Sequence, residues 1–479
     1  MKKRFNFIKA ICLASVVGLT SVSLTSCGLD VADSGHTIYF YNTMGTALQA
    51  PLGIAIEQFE KAYPGWEVEP SQIGGYDEVK SAIVGDLVAG TQPDLAYCYA
   101  DHVAQYLESE TVVNMSKFIN ETGKKTVTVL DGEEWVKKDI EKVGYTAEEV
   151  ADFVPGYYAE GFAKNYAGYE KYFQAEDVIT MPFQKSTEVL YYNADALVEL
   201  GYTNTDGSAK VPTTWDELWA ACKAAKAKWP QCTPLGYDSE ANWFITTCEQ
   251  NGWGYTSADA NNHYLFYNEN VQTWLGDLNT KYKEGLFTTQ EIYGSYSSNL
   301  FVKGVEEGGS IFSIGSSGGA SYQATEKFKW GVAPTPGTKL ADGTVNYSAI
   351  SQGPSLVMFE TAATNSEEKQ LMTWEFVKVL LSPEIQAAFA SVSGYMPPRL
   401  STYKVPAYAQ FMEESNIVSV TAKVAASMVD RYYTSPAFVG SSTARTQVGT
   451  ALVYSVMGTK TPQQALLDAF KKCGGKLTN

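Results

Sequence analysis

The chain has 479 residues, of which 45% are hydrophobic, 13% aromatic and 19% charged. That apolar content excludes a disordered tail or a fibrous repeat, and the length predicts two or three domains with large cores. The formal charge is −17, from 36 Lys and Arg against 53 Asp and Glu. With no basic run to hold phosphate backbones, nucleic acid is a poor partner.

Lys2, Lys3, Arg4 and Lys9 make a positive start, and Ala10 to Leu24 follows as an apolar stretch broken by Ser, Thr and Gly. It is too short and interrupted for a membrane span and reads as a signal peptide. Leu24-Thr25-Ser26-Cys27 resembles the lipobox of bacterial lipoproteins. The resemblance implies that residues 1–26 are removed, that Cys27 carries lipid, and that 27–36 form a polar tether. The alternative is an ordinary secretory signal cleaved near Ser26. Lasting attachment takes more than one acyl chain. Cys98, Cys222, Cys232, Cys248 and Cys473 remain, an odd number with no CxxC pair, so no zinc site is expected. They read as small buried hydrophobes, with a Cys222–Cys232 bridge as the alternative.

In chain order, Thr37–Tyr41 reads as a strand. Leu48, Leu52, Ile56 and Phe59 recur at helical spacing until Pro64-Gly65. Strand Trp66–Glu69, helix Tyr76–Val88 and strand Asp94–Tyr99 complete a βαβαβ pattern, which predicts a parallel sheet with helices on its faces. From about Asn120 to Gln174 no strong periodic element is expected. Glu188–Asn193 reads as a strand, and Thr214 with Glu217 as a capping box for the helix carrying Trp215, Leu218, Trp219 and Cys222. Helices at Val271–Tyr282 and Ser298–Val302 separate strands at Gly309–Ile314, Trp330–Ala333 and Leu356–Phe359. Leu371, Trp374, Val377 and Leu381 stripe a later helix. Thr461-Pro462-Gln463-Gln464 opens the last one with a cap, a first-turn proline and a box-closing Gln.

Leu190-Tyr191-Tyr192-Asn193, Pro212-Thr213-Thr214-Trp215-Asp216-Glu217-Leu218, Gly331-Val332-Ala333-Pro334-Thr335-Pro336-Gly337, Trp374-Glu375-Phe376-Val377 with Ser382-Pro383-Glu384-Ile385-Gln386, and Gly394-Tyr395-Met396-Pro397 occur in this order. Together they resemble the extracellular solute-binding proteins of bacterial ABC importers, the maltose-binding type. The resemblance covers nearly all of residues 37–473. It implies an α/β, two-lobed periplasmic-binding-protein fold (type II), with mostly parallel sheets flanked by helices and a ligand cleft between the lobes. Lobe 1 would be 37–182 plus 356–412 and lobe 2 would be 183–355 plus 413–479, closing as a hinge. Implied partners are a small solute and ABC permease and ATPase subunits. A monomer that is not an enzyme and needs no cofactor or metal is expected. The residues agree, because two open sheets facing each other place a cleft beyond the carboxyl ends of their strands. Gly74-Gly75-Tyr76, Ser186, the turn after Ile314 and Gly353 should line it.

Within the family, Gly315 to Gly319, Lys329-Trp330-Gly331-Val332, Gly394-Tyr395-Met396-Pro397, Arg445 and Gly458 to Leu466 resemble the glycerol-3-phosphate-binding branch. That resemblance puts ligand contacts on Tyr76, Ser186, Ser316, Gly353, Tyr395 and Arg445. One position departs from the branch: where it has a Glu after the third strand, this chain has Ala100, with Asp101 one residue on. Arg445 offers a planar charged fork for phosphate oxygens, and Ser316 and Ser317 offer neutral donors. A phosphorylated polyol therefore stands beside a neutral mono- or oligosaccharide as the ligand. For a sugar, Trp243 and Trp253 are the aromatic cleft candidates, whereas Trp215 and Trp374 read as packing residues. A hydrolase is the third reading, since Gly315-Ser316-Ser317-Gly318-Gly319 satisfies G-x-S-x-G. However, His36, His102 and His263 all precede Ser317, against the order such enzymes require. A sensor or adhesin lipoprotein is the fourth.

Overall fold

The structure is a computed structural model that describes residues 35–259, 261–362 and 366–476. The expected signal peptide, Cys27 and most of the expected tether lie outside the described residues. Among the described residues no helix is long and apolar enough to cross a membrane.

Two five-stranded sheets organise the molecule. In the first, Thr37–Asn42 pairs in parallel with Glu67–Gln72 on one side and Leu95–Cys98 on the other. Ser355–Met358 then runs antiparallel between Leu95–Cys98 and Met181–Pro182. In the second, Phe312–Ser316, Leu235–Tyr237 and Phe287–Thr289 are parallel neighbours. Glu188–Asn193 runs antiparallel between Phe312–Ser316 and Trp330–Pro334. Each sheet is thus mostly parallel with one reversed strand. In both cases that strand enters directly after the chain has crossed from the other lobe.

The two sheets have separate main cores, and a smaller cluster joins Tyr157 and Met396 to Val189, Tyr191 and Phe301. Helix Thr46–Ala62 buries Leu52, Ala55 and Phe59 against Phe40, Trp66, Trp374 and Phe376 of the first core. In the second, Leu218, Cys222 and Ala225 of helix Trp215–Lys228 meet Trp243, Phe287 and Leu452. The Thr214 hydroxyl accepts the Glu217 N–H at the head of that helix, and Glu217 Oε2 accepts the Thr214 N–H, closing the box. Thr461 likewise caps helix Pro462–Lys472. Its Gln464 does not turn back to the cap as expected: Nε2 donates to Asp468 Oδ1 instead, at 2.7 Å. Cys98, Cys222, Cys232 and Cys248 are buried thiols without disulfides, and Cys473 is free and partly buried.

A second expectation also fails. The stretch from Asn120 to Gln174 carries an antiparallel hairpin, Lys125–Asp131 with Glu134–Ile140. Gly132, at φ 63°, sits in its two-residue turn. Val127 and Val129 are buried in the first core, and the Trp66 indole donates to the Thr128 carbonyl at 2.8 Å. Trp135 lies over Gly65, where any Cβ would come within 2.6 Å of the indole.

The crossovers hold one another. Gly353, at φ 91°, passes so close to the first crossover that a Cβ would stand 1.9 Å from the Gln184 carbonyl. Ser186 and Gln352 exchange backbone hydrogen bonds of 2.9 and 2.8 Å.

Candidate functional site

A cavity of about 80 Å³ lies between the lobes, where the crossovers meet. Tyr99, Ala100 and Asp101 line it from lobe 1, Lys185, Gln352 and Gly353 from the crossovers, and Tyr255 and Arg445 from lobe 2. A chamber of about 450 Å³ shares Tyr99 and Arg445 with it and adds Tyr76, Asp77, His102, Asp238, Glu240 and Glu291.

The cavity is lined by polar atoms with no protein partner. Asp101 Oδ1, Gln352 Oε1 and the Tyr255 hydroxyl are all buried without a hydrogen bond. Each such group costs roughly 1–3 kcal/mol if left unpaired. Asp101 occupies the first turn of helix Ala100–Tyr106, directly after the strand that ends at Cys98. Its Oδ1 is 3.8 Å from His102 Nε2, but burial holds that imidazole below its ordinary range, which keeps it neutral at pH 7 and leaves the carboxylate uncompensated. Two of the three orphans can only accept; they suit hydroxyl groups.

The cations differ in how they are spent. Lys185 is buried and gives its charge to Glu160 Oε2 at 2.6 Å, while Glu160 Oε1 accepts the Ser351 hydroxyl at 2.6 Å. Arg445, on helix Ser441–Val456, has no carboxylate within ion-pair distance among the described residues. Its Nη2 donates to Asn242 Oδ1. Asn242 Nδ2 in turn donates to Glu188 Oε1 at 3.0 Å, and the Tyr237 hydroxyl to Glu188 Oε2 at 2.5 Å. Burial pushes the Glu188 carboxyl up to about 7, against the pull of those hydrogen bonds and of Arg445.

The other expected residues separate into two groups. Tyr76 stacks on Tyr99 with centroids 4.0 Å apart, and Tyr395 packs so tightly on Gly318 that a Cβ there would meet its ring at 2.7 Å. Burial raises all three phenols. Tyr76 and Tyr99, with Asp101, Gly353 and Arg445, line the cavity and its chamber; Tyr395 lies beside Tyr76 but lines neither. Ser186 reaches this region through its backbone. Ser316 caps the turn that follows it, accepting the Gly318 N–H. Ser317 is enclosed, with Oγ accepting the Thr187 N–H at 3.3 Å; no hydrolytic nucleophile is presented there. Trp243 is not in the cleft. It stacks on Tyr237 at 4.6 Å inside the lobe 2 core, and Trp253 packs against the same core. Sequence reasoning missed Tyr99, Tyr255, Gln352, Asn242 and Glu188. Glu188 left a signal, as the charged residue opening an otherwise apolar and aromatic strand.

Comparison with known proteins decides the family. The family model described as bacterial extracellular solute-binding protein matches residues 55–413. The chain belongs to that family. Among curated proteins it is 25% identical over 448 residues to the sn-glycerol-3-phosphate-binding periplasmic protein UgpB of Yersinia pseudotuberculosis, covering 91% of each. UgpB of Salmonella typhimurium is 22% identical over 442 residues, covering 90% of each. Among solved structures, the GacH receptor of Streptomyces glaucescens superposes with a TM-score of 0.67 at 17% identity, covering 92% of this chain and 99% of that one. UgpB from Mycobacterium tuberculosis in complex with glycerophosphocholine gives 0.67 at 16%, covering 91% and 97%. Maltose-bound MalE3 of T. maritima gives 0.68 at 17%, covering 91% and 99%. These likenesses carry the two-lobed fold, and every relative named here is a binding protein or receptor.

Proposed function

We propose that this solute-binding protein captures a small phosphorylated polyol, of the glycerol-3-phosphate or glycerophosphodiester kind, and delivers it to the permease of an ABC importer. The observation that carries the reading is Arg445: a guanidinium at the lobe boundary, held among the described residues by a neutral amide and facing a cavity whose orphaned acceptors suit hydroxyl groups. Charge-assisted bidentate contacts to a phosphoryl group are what such a fork provides, and curated relatives named for glycerol-3-phosphate support it. Tyr76, Tyr395 and the Ser316 turn would close over the ligand and Gly353 would admit it beside the crossovers, with lobe 1 as 37–182 plus 356–412 and lobe 2 as 183–355 plus 413–479. Calorimetry with glycerol-3-phosphate, glycerophosphocholine and maltose tests this. A phosphate ester should bind at micromolar concentration; heat from maltose alone would overturn it.

A second reading, a neutral mono- or oligosaccharide, draws on the larger chamber walled by the Tyr76–Tyr99 stack. We further propose that the protein acts as a monomer tied to the membrane through lipid on Cys27. Mass spectrometry of the native N-terminus should find an acylated Cys27; an unmodified start elsewhere would refute the anchor.

A further inference from the structure

The phosphate reading leaves one buried ionisable group without a role. Glu188 is 3% exposed, opens the reversed strand of the lobe 2 sheet, and does not itself line the cavity. A carboxylate there is costly, because it is removed from water and is in no ion pair among the described residues. The chain could have placed an apolar residue at the head of this strand. What the carboxylate does is fix an orientation. Its two oxygens accept from the Tyr237 hydroxyl and the Asn242 amide nitrogen. With its nitrogen committed to Glu188, Asn242 can offer only its oxygen on the other side, where Arg445 donates to it. The assignment of the amide follows from chemistry alone: a carboxylate only accepts and a guanidinium only donates, so the reverse orientation would face two mismatched pairs.

We infer that Glu188 is a positioning residue for anion capture: in its ionised form it orients Asn242, and Asn242 holds the Arg445 guanidinium at the interlobe cavity. The inference rests on the reading that the ligand carries a phosphoryl group. Protonation of Glu188 lets its new O–H donate to the Tyr237 hydroxyl, and leaves the Asn242 amide a neutral acceptor in place of a charged one. The contact that keeps the Asn242 oxygen toward Arg445 is then weakened. Tyr237, Asp238, Tyr433 and Arg445 are the titratable and charged groups that face Glu188. Of these, Asp238, which burial raises to about 6, needs its own control.

The test uses the mature wild-type protein, Glu188→Gln, Asn242→Leu and Asp238→Asn, with glycerophosphocholine as the probe because a phosphodiester does not titrate between pH 5 and 9. Wild-type affinity should fall at least fivefold from pH 8 to pH 6. Glu188→Gln and Asn242→Leu should show the weaker affinity at both values, and Asp238→Asn, which alters the chamber wall and so the affinity itself, should keep the wild-type ratio between the two pH values. Melting temperature separates positioning from folding. Removing a buried charge should leave Glu188→Gln at least as stable as wild type at pH 8, so affinity and stability move in opposite directions. Parallel loss of both, or a wild-type pH profile in Glu188→Gln, would overturn the proposal. A ligand-free readout keeps it separate from the phosphate reading. The Arg445 guanidinium ¹⁵N–¹H resonance, assigned by its loss in Arg445→Lys, should shift with pH near 7 in wild type and stay fixed in Glu188→Gln. If it does not shift, the proposal fails whatever the ligand. If it shifts while glycerophosphocholine does not bind, only the phosphate reading fails.

Discussion

Arg445 and Asp101 carry opposite charges at one cavity and make separable demands on a ligand. Hydrogen bonds to charged groups contribute roughly 1.5–3 kcal/mol each, so Arg445→Ala should weaken binding of a phosphate ester at least tenfold by calorimetry. Arg445→Lys should recover part of the loss, since a point charge cannot reproduce the fork. Asp101→Asn keeps the shape but gives up a charged acceptor. It should cost affinity for the hydroxyl-bearing end while leaving inorganic phosphate binding unchanged or improved, because a negative charge has been removed from the cavity wall. Asp238 adds a pH signature of its own. Burial favours its neutral form in the folded state, so its contribution to stability is full below the ordinary carboxylate range and is lost as pH rises through about 6. The melting-temperature difference between Asp238→Asn and wild type should therefore shift in the variant's favour from pH 4 to pH 8; a difference independent of pH would refute this.

At the scale of elements, the lobe 2 core holds an aromatic stack within its aliphatic packing. Trp243 lies flat on Tyr237 and edge-on to Phe287 and Trp274. Its truncation to Ala should cost about 3–5 kcal/mol of stability, read by urea unfolding, with ligand affinity per folded molecule unchanged. Loss of affinity without loss of stability would return Trp243 to the cleft. The helix cap offers a smaller check: Thr214→Ala should cost about 1 kcal/mol. These elements also mark where sequence reasoning succeeded and failed. The first βαβαβ and the Thr214 box were legible because periodicity and capping are local properties. The Lys125–Ile140 hairpin was missed although Thr-Val-Thr-Val alternates and Gly132 marks its turn. Its outer face is polar, and Val127, Val129 and Ile140 are anchored by a core that is formed elsewhere in the chain. Tyr76, Gly353 and Arg445 were legible through resemblance. Gln352, Tyr255 and Asn242 were not, because uncharged residues acquire a role only when two lobes and two crossovers bring them to one cavity. Trp243 misled for the opposite reason: a Gly- and Asn-rich neighbourhood looks like a loop, yet Ser239 caps a regular helix there, Glu240–Asn251.

The whole molecule is two main cores joined by chain segments that grip each other and by a smaller cluster around Tyr191 and Met396, and this constrains how it moves. Gly353 cannot be replaced without displacing the Gln184 carbonyl, so the hinge strands shift together. The lobes also touch far from the hinge, where Lys80 of helix Tyr76–Ala89 donates to the Ser442 hydroxyl of helix Ser441–Val456 at 2.6 Å. Ser442 lines the chamber, and the contact joins the two lobes, so it exists only when they are together. One part-buried hydrogen bond contributes about 1 kcal/mol, too little by itself to hold the lobes shut without a ligand that satisfies Asp101, Gln352 and Tyr255. The unliganded protein in solution should therefore be more open than the arrangement described here, and saturation with ligand should lower its radius of gyration by small-angle scattering. Thermal stability should rise with ligand as RT ln(1 + [L]/Kd), about 2.7 kcal/mol at a hundredfold excess over Kd. Lys80→Ala should weaken ligand binding by no more than about fivefold, because it removes one closing contact and none of the ligand's own. Gly353→Ala should do far more, obstructing the crossovers themselves and lowering both affinity and melting temperature. A radius of gyration unchanged by saturating ligand would mean that the lobes bind without closing.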